Sequence, residues 1–218
     1  MTREELIKKV ALKMDEISSS DDVLVPVTAS DNNPLYTQIN NLLNESVNDA
    51  LMKAPIYRIQ SQIASLNTFE TKDILAYSGP RKAVVFSVPD DFIRCVQISD
   101  DAFARPIVDL AIEGDDVDKR QHNKNLVAKN AKPVAVIGRG DTGRKITCYS
   151  YSDKDAISPV MLYVKRYDTA KNDTSAETNL DEYMIDLVSW VCAGKVFAAQ
   201  GDINKGKICD ENAAALMV

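Results

Sequence analysis

Gly138, Gly140 and Gly143 spell GxGxxG inside "PVAVIGRGDTGRKIT", residues 133–147. Glycines at that spacing let a backbone approach a pyrophosphate, whose charge is then held by free amides at a helix N-terminus. An apolar run leads in, as the first strand of a dinucleotide-binding unit would. The same stretch approaches a Walker A phosphate loop, and it contains Arg139-Gly140-Asp141, the tripeptide associated with integrin binding.

Each chemistry needs a context. A dinucleotide site needs strand, glycine turn, helix, second strand and an acid on the ribose. Asp168, 25 residues beyond Gly143, is the acid on offer. The helix is missing: "RKITCYSYSDKDAI" would set Ile146, Tyr149, Asp153 and Ile157 on one face, which is no apolar stripe. Only one strand-like run follows before the chain turns helical. The Walker A reading fails separately, because Lys145 precedes Ile146 instead of Ser or Thr. Two strand-like runs around a glycine-rich turn predict a β-hairpin tip, with glycine supplying positive φ.

Other reactive residues are few. The single histidine, His122, lies in polar "DKRQHNKN" and reads as a solvated side chain, not a general base. Cys95, Cys148, Cys192 and Cys209 stand 53, 44 and 17 positions apart, without metal-knuckle or redox spacing. Each sits beside apolar residues and is expected to be a buried free thiol in a reducing compartment. No cofactor and no metal site is expected.

The chain has 218 residues, 45% of them hydrophobic and 27% charged, with a formal net charge of −6. It can bury a core without staples, and its overall charge does not suit coating nucleic acid. The N-terminus lacks a signal-peptide core. The apolar run at 187–194 is far short of the ~20 residues that cross a bilayer, so a soluble protein is expected.

These residues are carried by three zones: helical, β-rich, helical. Thr2 with Glu5 forms a capping box ahead of Leu6, Val10, Met14 and Ile17, so a helix is expected over 3–17. A short apolar stretch at 23–27 leads to Pro34, which suits a first helical turn. A longer stripe from Leu35 to Leu51 follows. Beyond Pro55, Ile56, Ile59, Ile63 and Leu66 predict a further helix over about 55–66. In the middle, "KAVVFSV" and "FIRCVQIS" flank "PDD", a hairpin signal, and "FARPIVDL" reads as an edge strand. Residues 109–130 read as a surface helix or a long excursion. Three more strand-like runs follow: "PVAVI", "KITCYSY" and "PVMLYVKRY". From Thr178 the pattern is apolar around most of a helix, with Trp190 expected in the core. Gly201 is placed as the C-cap, and a last helix over 203–216 ends in "NAAALMV".

One electrostatic feature stands out. From Lys119 to Lys145 there are eight basic residues (Lys119, Arg120, Lys124, Lys129, Lys132, Arg139, Arg144, Lys145) against one acid, Asp141. Residues 100–118 before it hold seven acids and one base; residues 168–186 after it hold six acids and one base. Such segregation fits a solvated surface, complementarity between copies, or contact with nucleic acid.

The "PDDFIRCVQI" segment and the ending "LDEYMIDLVSWVCAGKVFAAQGDINKGKICDENAAAL" resemble the head-to-tail adaptor (connector ring) proteins of short-tailed bacteriophages, including those of crAss-like phages. The likeness covers most of the chain by pattern and order, without an invariant motif. It implies an α+β fold: a helical bundle of N-terminal helices around a long apolar C-terminal helix, with an inserted antiparallel β subdomain. The divisions would be 1–68, 69–170 and 171–218. It further implies a non-enzymatic virion protein of the neck or tail region, assembled in the host cytoplasm. Such proteins form a homo-oligomeric ring of about twelve copies between the portal and further ring or tail proteins. Viral DNA passes through without sequence specificity, and no membrane is involved. By that likeness Leu216, Met217 and Val218 would be an exposed docking element, and Arg139, Arg144, Lys145, Lys119, Arg120 and Lys124 would meet neighbours. The competing expectations are a nucleotide-binding enzyme using 138–143, or a basic-patch nucleic-acid binder.

Overall fold

A computed structural model describes residues 1–17, 34–76, 79–141, 143–152 and 154–217. The apolar stretch expected at 23–27 and the terminal Val218 lie outside the described residues. In chain order the elements are α1 (Arg3–Ile17), α2 (Pro34–Lys53), β1 (Ile63–Leu66), β2 (Glu70–Ala76), β3 (Gly79–Ser87), β4 (Phe92–Ser99), β5 (Leu110–Ile112), α3 (Asp116–Gln121), β6 (Val134–Gly140), β7 (Gly143–Ser152), β8 (Val160–Lys165), α4 (Glu182–Ala199) and α5 (Ile203–Leu216). The fold is mixed α and β, with five α-helices and two sheets among the described residues. It divides into two compact units, Met1–Gln62 with Arg166–Val218, and Ile63–Lys165.

The first unit is helical. The capping box forms as expected: the Thr2 amide donates to the Glu5 carboxylate at 2.8 Å and the Glu5 amide to Thr2 Oγ1 at 3.2 Å. α1 buries Leu6, Ile7, Val10 and Met14, and α2 buries Ile39, Leu43, Val47 and Leu51. α4 packs against α1, α2 and α5 and is buried along most of its length. Its end is closed by Gly201 at φ +85°, where the Asp202 amide reaches back to Phe197 O at 2.9 Å.

The helix expected over 55–66 does not form. Two 3₁₀ turns (Ile56–Arg58 and Gln60–Gln62) lead into β1, whose residues 63–66 pair antiparallel with β8. Pro55 denies a helix one donor, and the β-branched Ile63 gains a strand partner. Long-range pairing therefore overrides the i, i+4 stripe.

The second unit holds both sheets, ordered β2-β3-β7-β6-β5 and β1-β8-β4. One apolar cluster joins them, from Val84 and Phe86 on β3 to Phe92 and Ile98 on β4 and Met161 on β8. Aromatic neighbours tighten it: Phe92 stacks on Tyr163 at 5.7 Å, and Phe103 tilts on Tyr151 at 5.0 Å.

Four further expectations are corrected in this unit. "PDD" does not close a hairpin, because β3 pairs with β2 and β7 while β4 pairs with β8. The Pro89–Phe92 turn, closed by a 3.1 Å hydrogen bond, instead hands the chain from one sheet to the other. The Pro106 region contributes only an Ile98–Ile107 bridge, not a strand. Within 109–130 the expected surface helix is only the six-residue α3, and the segment is not a free excursion. These residues form β5, a turn and the short α3, locked where Gln121 Oε1 accepts from the Ala128 amide at 2.9 Å. The β subdomain is also not wholly antiparallel, since β5 runs parallel to β6.

Candidate functional site

The glycine segment is a hairpin tip. β6 and β7 pair antiparallel from Val134↔Tyr149 down to Gly140↔Gly143. A strand thus occupies the place where a phosphate site needs a helix. Gly143 takes φ +148°, a conformation open to glycine at no steric cost. Gly138 has a different purpose. The Glu113 side chain lies directly over it, leaving no room for a Cβ, and its carboxylate accepts the Arg139 amide at 2.8 Å. A carboxylate over the first glycine of the motif repels a phosphate, so this geometry opposes the nucleotide reading twice over.

The tip does gather charge. Arg139 and Arg144 are register partners, and like charges directly opposite destabilise a ladder. Arg144 lies over Phe92, 5.4 Å from its ring, and donates to Phe92 O at 3.3 Å. Arg139 stays exposed. Lys145 is half-buried, with its aliphatic stem running past Gly140.

Beside the tip, the outer face of the five-stranded sheet forms a groove of about 800 Å³. Ala83, Val85, Val136 and Thr147 floor it, small or β-branched residues that alternate with the core-facing Val84, Ala135, Ile146 and Cys148. Lys124, Arg144 and Lys145 border it, opposed by Glu113, Asp118 and Asp141. The structure thus brings three of the six expected basic residues to one groove. Arg139 does not line it, and Lys119 and Arg120 stand exposed on α3, where Lys119 lies 3.7 Å from Asp116.

Much of the acidic stretch at 100–118 is used internally. Asp100 accepts from Tyr151, Ser158 and Ala102. Asp115 caps α3 by accepting the Asp118 amide at 2.7 Å, and the buried Asp118 accepts the Gly114 amide at 2.8 Å. The amides of Asp118 and then Ile112, both donating to it, hold the Asp115 carboxyl below its usual range. What reads in sequence as an acidic surface is, at these positions, turn chemistry.

His122 is two-thirds exposed (68%), with Nε2 3.4 Å from Asp118 Oδ1 and its ring edge-on to Tyr149. Burial, then the charges of Asp118 and Glu113, push the Tyr149 phenol up. The described residues hold no cluster of His, Cys, Asp or Glu suited to a metal. All four cysteines are free: Cys148, Cys192 and Cys209 are buried and Cys95 is half-buried. Burial raises the Cys95 thiol to about 12 and those of Cys192 and Cys209 to about 11.

Two placements at the helical end differ from expectation. Leu216 and Met217 are half-buried, not exposed, because α5 runs to Leu216 and its carbonyl accepts from Tyr183 Oη at 3.0 Å. Trp190 is half-buried at the surface, with Lys13 Nζ 4.8 Å from its ring centre.

The sequence reading missed one polar cluster. Arg3 is fully buried, with Nε donating to Asn40 Oδ1 at 2.7 Å, one terminal nitrogen to Asn44 Oδ1 at 2.6 Å and the other to Asn40 O at 2.9 Å. Asn40, Asn44 and Asn48 then donate to the carbonyls of Lys171, Thr169 and Tyr167 at 2.9–3.0 Å. The signal was available: three asparagines at i, i+4, i+8 beside an apolar stripe.

No protein-family model matches the chain, and none of the curated proteins compared with it matches either.

Proposed function

We propose that the chain is a non-enzymatic structural virion protein that forms a ring between portal and tail, extends the DNA channel and docks tail components. Its helices would act as the bundled body and the β unit as the contact module. The observation that carries this reading is the Arg139–Arg144 register pair. Two like charges held opposite each other at an exposed tip cost stability. Such a cost is maintained where an outside acidic partner, a neighbouring ring component or passing DNA, relieves it. The sequence likeness of "PDDFIRCVQI" and the C-terminal helices supports the same reading.

The groove's mixed charge suits a protein surface better than a phosphate chain. No helix among the described residues is long and apolar enough to cross a membrane.

The test is a triple reversal, Arg139→Glu, Arg144→Glu and Lys145→Glu, in the virus that encodes the chain. Particles should lose tail attachment while the purified variant keeps its melting temperature within a few degrees. Normal particles, or a chain missing from purified virions, would overturn the reading.

A further inference from the structure

The two lateral edges of the five-stranded sheet are finished differently. At one edge, β5 is closed by its own turn. The Ile112 amide donates to Asp115 Oδ2 at 3.0 Å, and the Ile112 carbonyl accepts the Asp115 amide at 3.1 Å. Glu113 then continues the pairing with β6 through its side chain. An added strand would find the Ile112 backbone groups already taken.

At the other edge, β2 is open. Its seven residues hold an unbroken register with β3, from Glu70↔Val85 to Ala76↔Gly79. They include no proline and no bulge, the usual protections of an edge. Its outward amides and carbonyls have no hydrogen-bond partner among the described residues. Glu70, Thr71, Lys72 and Asp73 are exposed, and Leu75 is 79% exposed.

Charge decides what fits this edge. Glu70 and Lys72 pair with Val85 and Ala83, which floor the groove, and Thr71 and Asp73 alternate with them along the strand. A second copy meeting β2 antiparallel about a two-fold axis, with matching faces continuous, must centre on one residue. Centring on Lys72 sets Lys72 against itself; centring on Asp73 sets Asp73 against itself. Centring on Thr71 sets Glu70 opposite Lys72 of the second copy, and Lys72 opposite its Glu70, around a Thr–Thr pair. The exposed Leu75 then comes beside residues 67–69 of that copy. The charges that repel a generic strand are matched in this one register.

We infer that β2 pairs with β2 of a second copy, antiparallel and centred on Thr71, giving the free chain a two-fold dimer. This stands apart from the ring reading, since a two-fold contact closes on itself and describes the chain before any incorporation.

The experiment uses the full chain. Sedimentation equilibrium should show a concentration-dependent dimer. Glu70→Lys alone, or Lys72→Glu alone, sets like charges opposite and should weaken it on the order of ten-fold. The double variant Glu70→Lys/Lys72→Glu should restore wild-type association. Thr71→Cys should form a disulfide-linked dimer on mild oxidation, and Ser65→Cys should not. A monomer at every concentration, a double variant no better than the singles, or equal cross-linking at both positions would overturn the inference. Melting curves of each variant show that a loss is not unfolding.

Discussion

The helical unit and the β unit solve opposite problems. The β unit is a continuous stretch, and its interior is apolar and aromatic, with Phe86, Ile98, Ile146 and Met161 fully buried. The helical unit is assembled from the two ends of the chain, and it buries a guanidinium. Arg3 and the asparagine ladder tie α1 and α2 to segment 167–171, more than a hundred residues away. In the β unit, backbone ladders set the register between distant strands, and apolar side chains fill the space between them. In the helical unit, which has no such ladder between helices, side-chain hydrogen bonds tie the distant segments.

The sharpest way to test this contrast is one substitution in each unit. Phe86→Ala empties a fully buried site beside Phe69 and should cost about 4 kcal/mol. Hydrogen exchange should place the lost protection within 63–165. Equal loss in both units would mean that the division does not describe their stability.

Arg3→Met comes next. It keeps volume but strips donors from Asn40 Oδ1, Asn44 Oδ1 and Asn40 O, and should cost about 3 kcal/mol. Arg3→Lys retains the charge without the fork and should recover only part of this. If Met proves as stable as Arg, apolar packing alone holds the unit and the contrast fails.

The same contrast explains what was legible in sequence. The capping box, both terminal helices, Gly201 and the β6–β7 tip are local events, written in residues three or four apart or in a glycine turn. The helix expected over 55–66 was lost to the distant β8, and the "PDD" hairpin to the adjacent β2 and the distant β7, which take both sides of β3. The candidate site was half legible. Sequence marked the basic residues, but the groove that collects Lys124 with Arg144 and Lys145 depends on which strands lie side by side. The Glu113 carboxylate over Gly138 was invisible for the same reason, with 25 positions separating the two.

A smaller effect tests packing between α4 and α5. A Cβ at Gly194 would sit 3.2 Å from Cys209 Cβ and 3.2 Å from Asp210 Oδ1. Gly194→Ala gains about 1 kcal/mol of helix propensity, which offsets the crowding. Gly194→Val gains less and crowds more, so it should cost about 2 kcal/mol. Thermal melting of the pair separates them; two equal melting points would show that the crossing has slack.

The smallest effect is a matter of pH. Lys195 on α4 donates to Glu45 at 2.5 Å and Asp49 at 2.6 Å, both on α2. Partial burial by itself lowers the ammonium, but the hydrogen bonds to Asp49 and Glu45 outweigh it and hold the group above the ordinary lysine range. A cation raised in the folded state stabilises fully below its unfolded value, about 10.4, and loses that contribution as pH climbs through the folded value. Because the acids are largely exposed, the gain is on the order of 0.5–1 kcal/mol. Denaturant titrations of wild type and Lys195→Met should therefore differ by a constant amount from neutral pH to about pH 10 and converge above it. A gap that persists unchanged into strong alkali would assign the stabilisation to the aliphatic stem packing between the helices and not to the ion pair.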